Sequence, residues 1–208
     1  MSEAIKTDKL LLVEGKDEEN LFSALLEYLQ IENVTIRSAG GYLKFAKLYP
    51  SVAITTGFSS IKKIGFVRDA EENEADSAFQ SISNIVKKYT PNIMIPNQAG
   101  EIAQGNIKCG IFIMPNNKNP GMLEDLCLES VKGSLLYNKA EKYILEAEAL
   151  LKAEDKEHYN IHKAKIQSYL AGTTNIPRNL GEASLQGLWD FSSTAFNEVK
   201  NFILSLFS

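Results

Sequence analysis

The chain has 208 residues, enough for one domain or for a domain with an appendage. Hydrophobic residues make up 44% and charged residues 23%, as in globular proteins, and no run approaches the roughly 18 apolar residues of a membrane span. The net charge of −4 shows no basic excess, which argues against a protein that grips a long nucleic acid by its backbone. Residues 1–9 lack an apolar signal core and there are only two cysteines, so we expect a cytoplasmic protein with no membrane partner.

The first half of the chain alternates short strand-like runs with amphipathic segments. Strands are predicted at 9–13, 34–37 and 64–69, where short runs of apolar and β-forming residues are typical of buried strands. Helices are predicted between and after them, at 17–30, 42–49 and 74–89, and Pro50 is expected to end the second helix. This alternating order predicts a parallel sheet covered by helices.

After Pro91 the pattern changes. Segments 92–96 and 108–114 have the character of strands joined as a hairpin, and 115–121 is predicted to be a loop. Helices are predicted at 123–131, 135–151, 157–170 and 195–207. We therefore predict an α/β core over residues 1–115 and a mostly helical extension over 116–208, packed together. The apolar side of the last helix packs either on this core or on a second chain.

An acidic residue, Glu14, follows the first predicted strand and is followed directly by Gly15. Ligands of open parallel sheets bind at the carboxyl ends of the strands, and a glycine there lets the chain turn tightly beside the acid. Glu18 lies four residues further on and can reach the same side. The alternative is that Asp17, Glu18 and Glu19 only complement the positive end of the helix.

A second pair of acids, Asp69 and Glu71, stands at the end of the third predicted strand. If the strand stays extended through both residues, the two side chains point the same way. Paired carboxylates suit Mg²⁺ or Mn²⁺, which prefer oxygen ligands and engage phosphate. The alternative is a solvated acidic loop, which is our interpretation of Glu72 and Glu74.

Together, Glu14-Gly15 after one strand and Asp69-Ala70-Glu71 after another resemble the signature of the Toprim fold. The usual second motif is Asp-x-Asp, so Glu71 departs from it by one methylene. The resemblance covers residues 9–115 and implies an α/β fold with a Toprim- or Rossmann-like parallel sheet. Toprim domains occur in topoisomerases, primases, maturation ribonucleases and OLD-type nucleases, and the added acid at Glu18 is most similar to the OLD branch.

Nearly the whole chain also resembles a small, uncharacterised, stand-alone Toprim-like family, through segments 120–126 and 189–191. The OLD resemblance implies a further metal-binding acid, for which Glu124 is the candidate, although it also suits a helix N-terminus. It further implies a lysine from the helical part, and Lys163 and Lys165 are candidates to neutralise a phosphate or a leaving oxygen. His158 and His162 have the spacing of a metal chelate, but a solvated helix face is the simpler interpretation.

Two hypotheses follow. In the first, the protein is a phosphodiester hydrolase that acts on nucleic acid. Glu14, Asp69 and Glu71 would hold one Mg²⁺ or Mn²⁺ ion, and Glu18 and Glu124 would support a second ion. Catalysis is assigned to Glu14 with Lys163 or Lys165. In the second, a non-catalytic Toprim-like module binds a metal, a nucleotide or a protein partner, as the acidic balance favours. A receiver-like phosphorylation domain also places acids at strand ends, but the Glu-Gly turn does not suit it. A homo-oligomer is compatible with each of these hypotheses.

Overall fold

The computed structural model of the protein describes residues 3–154, 156 and 160–208. Within them, one sheet contains five strands: β1 (Lys9–Val13), β2 (Val34–Ser38), β3 (Lys63–Asp69), β4 (Ile102–Ala103) and β5 (Lys108–Met114). Their order across the sheet is β2-β1-β3-β5-β4. All neighbours are parallel except β4, which runs antiparallel to β5.

The described residues also form eight α-helices: α1 (Lys16–Tyr28), α2 (Tyr42–Ala53), α3 (Ala75–Tyr89), α4 (Leu123–Val131), α5 (Leu135–Ala153), α6 (Ile161–Ala171), α7 (Leu180–Leu185) and α8 (Asn197–Phe207). Helices α2 and α3 contribute to the hydrophobic core on one face of the sheet. Helices α1 and α4 to α8 contribute to the core on the other face. The predicted α/β class, with a mostly parallel sheet and C-terminal helices, is confirmed. None of the described helices is both long and apolar enough to cross a membrane.

The two cores explain why β1 is apolar throughout. Leu11 and Val13 belong to the core beneath α1 and the C-terminal helices, whereas Leu10 and Leu12 belong to the core beneath α2 and α3. Successive side chains of a strand point to opposite faces, so a strand covered on both faces has no solvated position. The first of these cores draws residues from both sides of position 115, and the domain boundary there stays a prediction.

The last helix packs on the sheet of its own chain. The apolar side of α8 is fully buried, as the burial of Val199, Phe202 and Leu206 shows. Opposite it, two glycines of neighbouring strands, Gly65 and Gly110, stand side by side in the sheet. Because these two positions carry no side chain, the helix can approach the backbone of the sheet closely.

The prediction that Pro50 ends the second helix is wrong, because α2 continues to Ala53 with the proline inside it. Proline removes one helical hydrogen bond, but burial of the residues around it favours the continued helix. Tyr49 and Val52 are both fully buried. The ring of Tyr49 packs edge-on against that of Phe66 at 5.4 Å, and its hydroxyl bonds to Thr90 Oγ1 at 2.6 Å.

The strand predicted at 92–96 is also wrong, because the strand that pairs with β5 is β4 at 102–103. Pro91 and Pro96 have no N–H to donate to a ladder. Ile93 is buried from a turn instead, in which its N–H donates to Thr90 O at 3.0 Å. Helix α7 was not predicted, and residues 157–159 of the helix predicted at 157–170 lie outside the described residues.

Candidate metal centre

Three acidic side chains converge where β1 and β3 end. One carboxylate oxygen from each of Glu14, Asp69 and Glu71 lies within 4.8 Å of the other two. Glu14 is 7% and Asp69 6% exposed, whereas Glu71 is half-buried. A divalent cation bound at about 2.1 Å places its ligands within about 4.2 Å of one another, so a small side-chain rotation closes this set around one ion. The donors are all hard oxygens, which fits Mg²⁺ or Mn²⁺.

The chain reaches this geometry differently at Glu71 than we predicted. The strand does not stay extended through both acids: β3 ends at Asp69, and Glu71 has a left-handed backbone with φ of 61°. A pair of backbone hydrogen bonds with Gly121 holds this conformation, the N–H of each residue donating to the carbonyl of the other at 2.9 and 2.8 Å. The side chain of Glu71 therefore approaches Asp69 through a turn that the opposite loop stabilises.

Helix α4 begins at the centre and contributes to it. The backbone N–H of Leu123, in the first turn of α4, donates to Asp69 Oδ1 at 3.1 Å. The N–H of Asp69 itself lies 3.4 Å from Glu14 Oε2. Unpaired N–H groups and the helix dipole make a helix N-terminus favourable for negative charge, so α4 partly offsets the charge of Asp69.

Glu18 reaches the centre from α1. It is buried, and a Cβ placed on Gly15 would lie 2.7 Å from Glu18 Oε2, so the glycine makes room for this carboxylate. Burial, followed by the charges of neighbouring acids, raises the pKa of Glu18 to about 7. Burial likewise raises the pKa of Asp69 well above its usual range, with the charges of Glu18 and Glu14 as the next causes. Without a cation, the centre therefore favours protonated carboxyl groups.

This shift predicts how the stability of the metal-free protein depends on pH. The folded pKa of Glu18 is about 7 against 4.5 for an ordinary glutamate, so the folded state binds more protons between these values. The contribution of Glu18 to stability is therefore greatest below about pH 4.5 and is lost as pH rises through 7. In EDTA, we expect Glu18→Gln to be more stable than wild type at pH 8, by on the order of 1–3 kcal/mol, and the difference to shrink at pH 5.

Urea unfolding at both pH values measures this difference. The matched control is Glu19→Gln, because Glu19 forms an ion pair with the exposed Lys16 at 2.8 Å and should change stability little at either pH. Parallel pH profiles for wild type and Glu18→Gln would show that the buried carboxyl does not govern the acid–base behaviour of the folded protein.

Of the other predicted site residues, Glu124 lies near the carboxylate centre, whereas Lys165 is paired with a different acid. Glu124, in the first turn of α4, is close enough for its charge to raise the pKa of both Glu18 and Asp69. Burial raises the pKa of Glu124 itself, and the nearby charge of Lys163 lowers it. Lys165 instead forms an ion pair with Glu141 of α5 at 3.1 Å. The roles assigned to both lysines stay predictions.

Sequence reasoning missed two features. Arg68 Nε lies 3.9 Å from Glu14 Oε2, and the position of this arginine directly before Asp69 was the available signal. Asp125 and His162 form a pair at the edge of the centre, although no pattern in the sequence connects residues so far apart. The chelate considered for His158 and His162 is untested, because His158 lies outside the described residues.

Fold and site together define an α/β protein with a buried carboxylate centre at the carboxyl edge of a parallel sheet. The chain belongs to the family described as protein of unknown function (DUF3226), whose model matches residues 8–208. No curated protein matches the sequence.

Two solved structures are similar to this one over most of both chains. A hypothetical protein from Pyrococcus horikoshii OT3 is 18% identical, with 95% of this chain and 94% of that chain covered and a TM-score of 0.55. At this identity, the likeness shows the fold alone. The C-terminal region of the OLD protein of Xanthomonas campestris pv. campestris is 13% identical, with 96% and 95% covered. Its TM-score is 0.48.

Proposed function

We propose that this protein is a metal-dependent phosphodiester hydrolase whose Mg²⁺ or Mn²⁺ centre is held by Glu14, Asp69 and Glu71. The observation that carries the proposal is the convergence of these three carboxylates within 4.8 Å at the carboxyl edge of a parallel sheet. Burying like charges together is costly without a counter-charge, and a divalent cation supplies one. The resemblance of both motifs to the Toprim signature supplies the substrate class, a phosphodiester of a nucleic acid.

The roles of the side chains follow from their positions. When bound, the divalent cation would activate water and stabilise the charge that develops on the phosphate. Glu14, Asp69 and Glu71 would hold the first ion, and Glu14 would also serve in proton transfer. Glu18 and Glu124 would support a second ion, as the effect of the Glu124 charge on the pKa of Glu18 suggests. Three more groups complete the proposed site.

The basic residues of the proposed site lie on two elements, α6 and β3. Lys163, whose charge acts on Glu124, is the nearer candidate to offset a bound phosphate. Lys165 would have to leave Glu141 to take part, because the two are paired at 3.1 Å. Arg68 approaches Glu14 from β3 and would limit the repulsion among the acids.

A second candidate is a module that binds a divalent cation, a nucleotide or a protein partner without cleaving anything. The net charge of −4 and the engagement of Lys165 by Glu141 favour it, since neither supports tight binding of a polyanion. Where the module binds a divalent cation, the two candidates share the metal centre and differ in whether the protein cleaves a substrate.

The test combines metal binding with cleavage. Wild type and Glu14→Gln are incubated with single-stranded DNA, supercoiled DNA and RNA in Mg²⁺ or Mn²⁺, and Mn²⁺ affinity is measured by calorimetry. We expect wild type to bind Mn²⁺ and cleave at least one substrate, and Glu14→Gln to lose at least about 100-fold in both respects. Glu74→Gln, at an exposed acid outside the centre, is the matched control and should behave as wild type.

Three other outcomes decide against the proposed hydrolase. Mn²⁺ binding that depends on Glu14 without any cleavage would identify the non-catalytic module. Cleavage that survives Glu14→Gln would be contamination, and the absence of Mn²⁺ binding would overturn the metal centre itself.

A further inference from the structure

A histidine–aspartate pair stands beside the carboxylate centre. His162, in the first turn of α6, places Nδ1 against Oδ1 of Asp125, in the first turn of α4. The other oxygen of Asp125 accepts a hydrogen bond from the N–H of Met122 at 2.8 Å. Because both carboxylate oxygens are engaged, Asp125 fixes the orientation of the imidazole, as the aspartate of a catalytic triad does.

The pair is tied to the metal centre through Gly121. This residue exchanges two backbone hydrogen bonds with Glu71. A Cβ on Gly121 would lie 2.8 Å from Asp125 Oδ2, so the carboxylate packs directly over its backbone. Gly121 therefore lies between Glu71 and Asp125 and contacts both. This arrangement fixes the position of His162 relative to the carboxylates.

Glu71 and His162 face a common cavity. Both residues line a space of about 460 Å³, together with Gly121, Met122 and Asn160. This volume accommodates a nucleotide-sized group. The side chain of His162 is 45% exposed, so packing leaves part of the ring accessible. Glu71 belongs to both the carboxylate centre and this cavity, so a phosphate bound by a cation at Glu71 would have access to the space that His162 borders.

We propose that His162, positioned by Asp125, donates the proton that the leaving oxygen requires. This role rests on the proposed phosphodiester hydrolysis. With both ring nitrogens protonated, Nδ1–H donates to Asp125 and Nε2–H donates into the cavity. Water forms the new P–O bond and loses one proton to solvent by way of Glu14, the P–O bond to the leaving group breaks, and that oxygen takes the Nε2 proton. The ring then regains a proton from solvent, so the step balances.

With His162 as the proton donor, Lys165 can keep its ion pair with Glu141. The sequence offered Lys163 and Lys165 for the leaving oxygen, but Lys165 is paired with Glu141, which also accepts from the hydroxyl of Tyr137 at 2.8 Å. His162 occupies the start of the same helix and borders the cavity. Asp125 acts only through the ring and is a positioning residue.

The experiment exploits the need for a proton. The ends of the cleavage products identify the leaving oxygen, and two oligonucleotides are then made that differ only in carrying oxygen or sulfur at that bridging position. A thiolate leaves without a proton, so a missing general acid affects only the oxygen substrate. His162→Asn keeps an N–H that can donate to Asp125 but has no Nε2, and His162→Gln keeps a donor that cannot ionise.

We expect His162→Asn and His162→Gln to lose about 100-fold or more on the oxygen substrate, the range typical of general acids, and less than about 3-fold on the sulfur substrate. Asp125→Asn should show the same split with a smaller loss. Equal losses on both substrates, or none on the oxygen substrate, would overturn the role of His162 while leaving the hydrolase intact. A wild type that cleaves nothing would instead overturn the proposed function, so the two failures are distinguishable.

Discussion

We expect Asp69→Asn to abolish metal-dependent cleavage while making the metal-free protein more stable. Asparagine is isosteric and keeps an oxygen that can accept the N–H of Leu123, which now bonds to Asp69 Oδ1 at 3.1 Å. It removes, however, the most enclosed charge among the acids and one of three ligands. Because outer-shell changes alone cost about 10–100-fold in metal-site activity, loss of a direct ligand should exceed 100-fold.

The gain in stability has the same origin. Burial and the charges of Glu18, Glu14 and Glu124 all raise the pKa of Asp69, so its ionised form is unfavourable without a cation. A neutral side chain should therefore raise the free energy of unfolding in EDTA at pH 8, on the order of 1–3 kcal/mol. Added Mn²⁺ should stabilise wild type and leave the variant unchanged, since only binding to the folded state stabilises it.

Thermal and urea unfolding with and without Mn²⁺, beside the cleavage assay, measure both effects. Asp76→Asn is the matched control, because Asp76 is an exposed acid in the first turn of α3. An inactive variant that is also less stable would mean that Asp69 is chiefly structural, and retained cleavage would remove it from the metal centre.

The second large effect concerns the two glycines beneath α8. We expect Gly65→Ala and Gly110→Ala each to destabilise the protein, although alanine in a strand ordinarily stabilises relative to glycine. A Cβ on Gly65 would lie 2.7 Å from Leu206 Cδ2 and 2.8 Å from Leu11 Cδ1. One on Gly110 would lie 2.6 Å from Ile102 Cδ1 and 2.7 Å from the ring of Phe202. Overpacking of this kind costs about 1–3 kcal/mol.

Urea unfolding of both variants measures that cost, and the double variant tests whether the two positions act together. The residues pair directly across β3 and β5, so their effects should not be additive. Ala149→Val, which enlarges an exposed position of α5, is the control and should change stability by a few tenths of a kcal/mol. A gain in stability for either glycine variant would show that α8 can retreat from the sheet without cost.

The parts of the fold that could be predicted are those that local pattern determines. The strands at 9–13 and 63–69 are short apolar runs buried on both faces, and 34–38 is a short run of β-forming residues at the edge of the sheet. The helix between each pair shows its own period. The failures lie where packing decides. Pro50 stays inside α2 because Tyr49 packs against Phe66, and α7 has only six residues, too few to show a helical period.

The candidate site could be predicted in part for a related reason. Glu14 follows β1 and Asp69 ends the neighbouring parallel strand β3, so the topology alone brings them to one edge. Glu71 approaches them through a left-handed turn stabilised by Gly121, which is a contact across 50 residues that no local rule specifies. The Asp125–His162 pair joins two helices in the same way, and only the assembled structure reveals it.

Helix α7 packs against α1, and the N–H of Gly181 donates to Asp17 Oδ1 at 3.0 Å, a closure across 164 residues. Asp17 adjoins Glu18, so α7 packs beside the carboxylates although it is synthesised long after them. Contacts so distant along the chain form slowly, because the entropy of closing the loop must be overcome first. We therefore expect the contact between α7 and α1 to form after the sheet that carries the carboxylates.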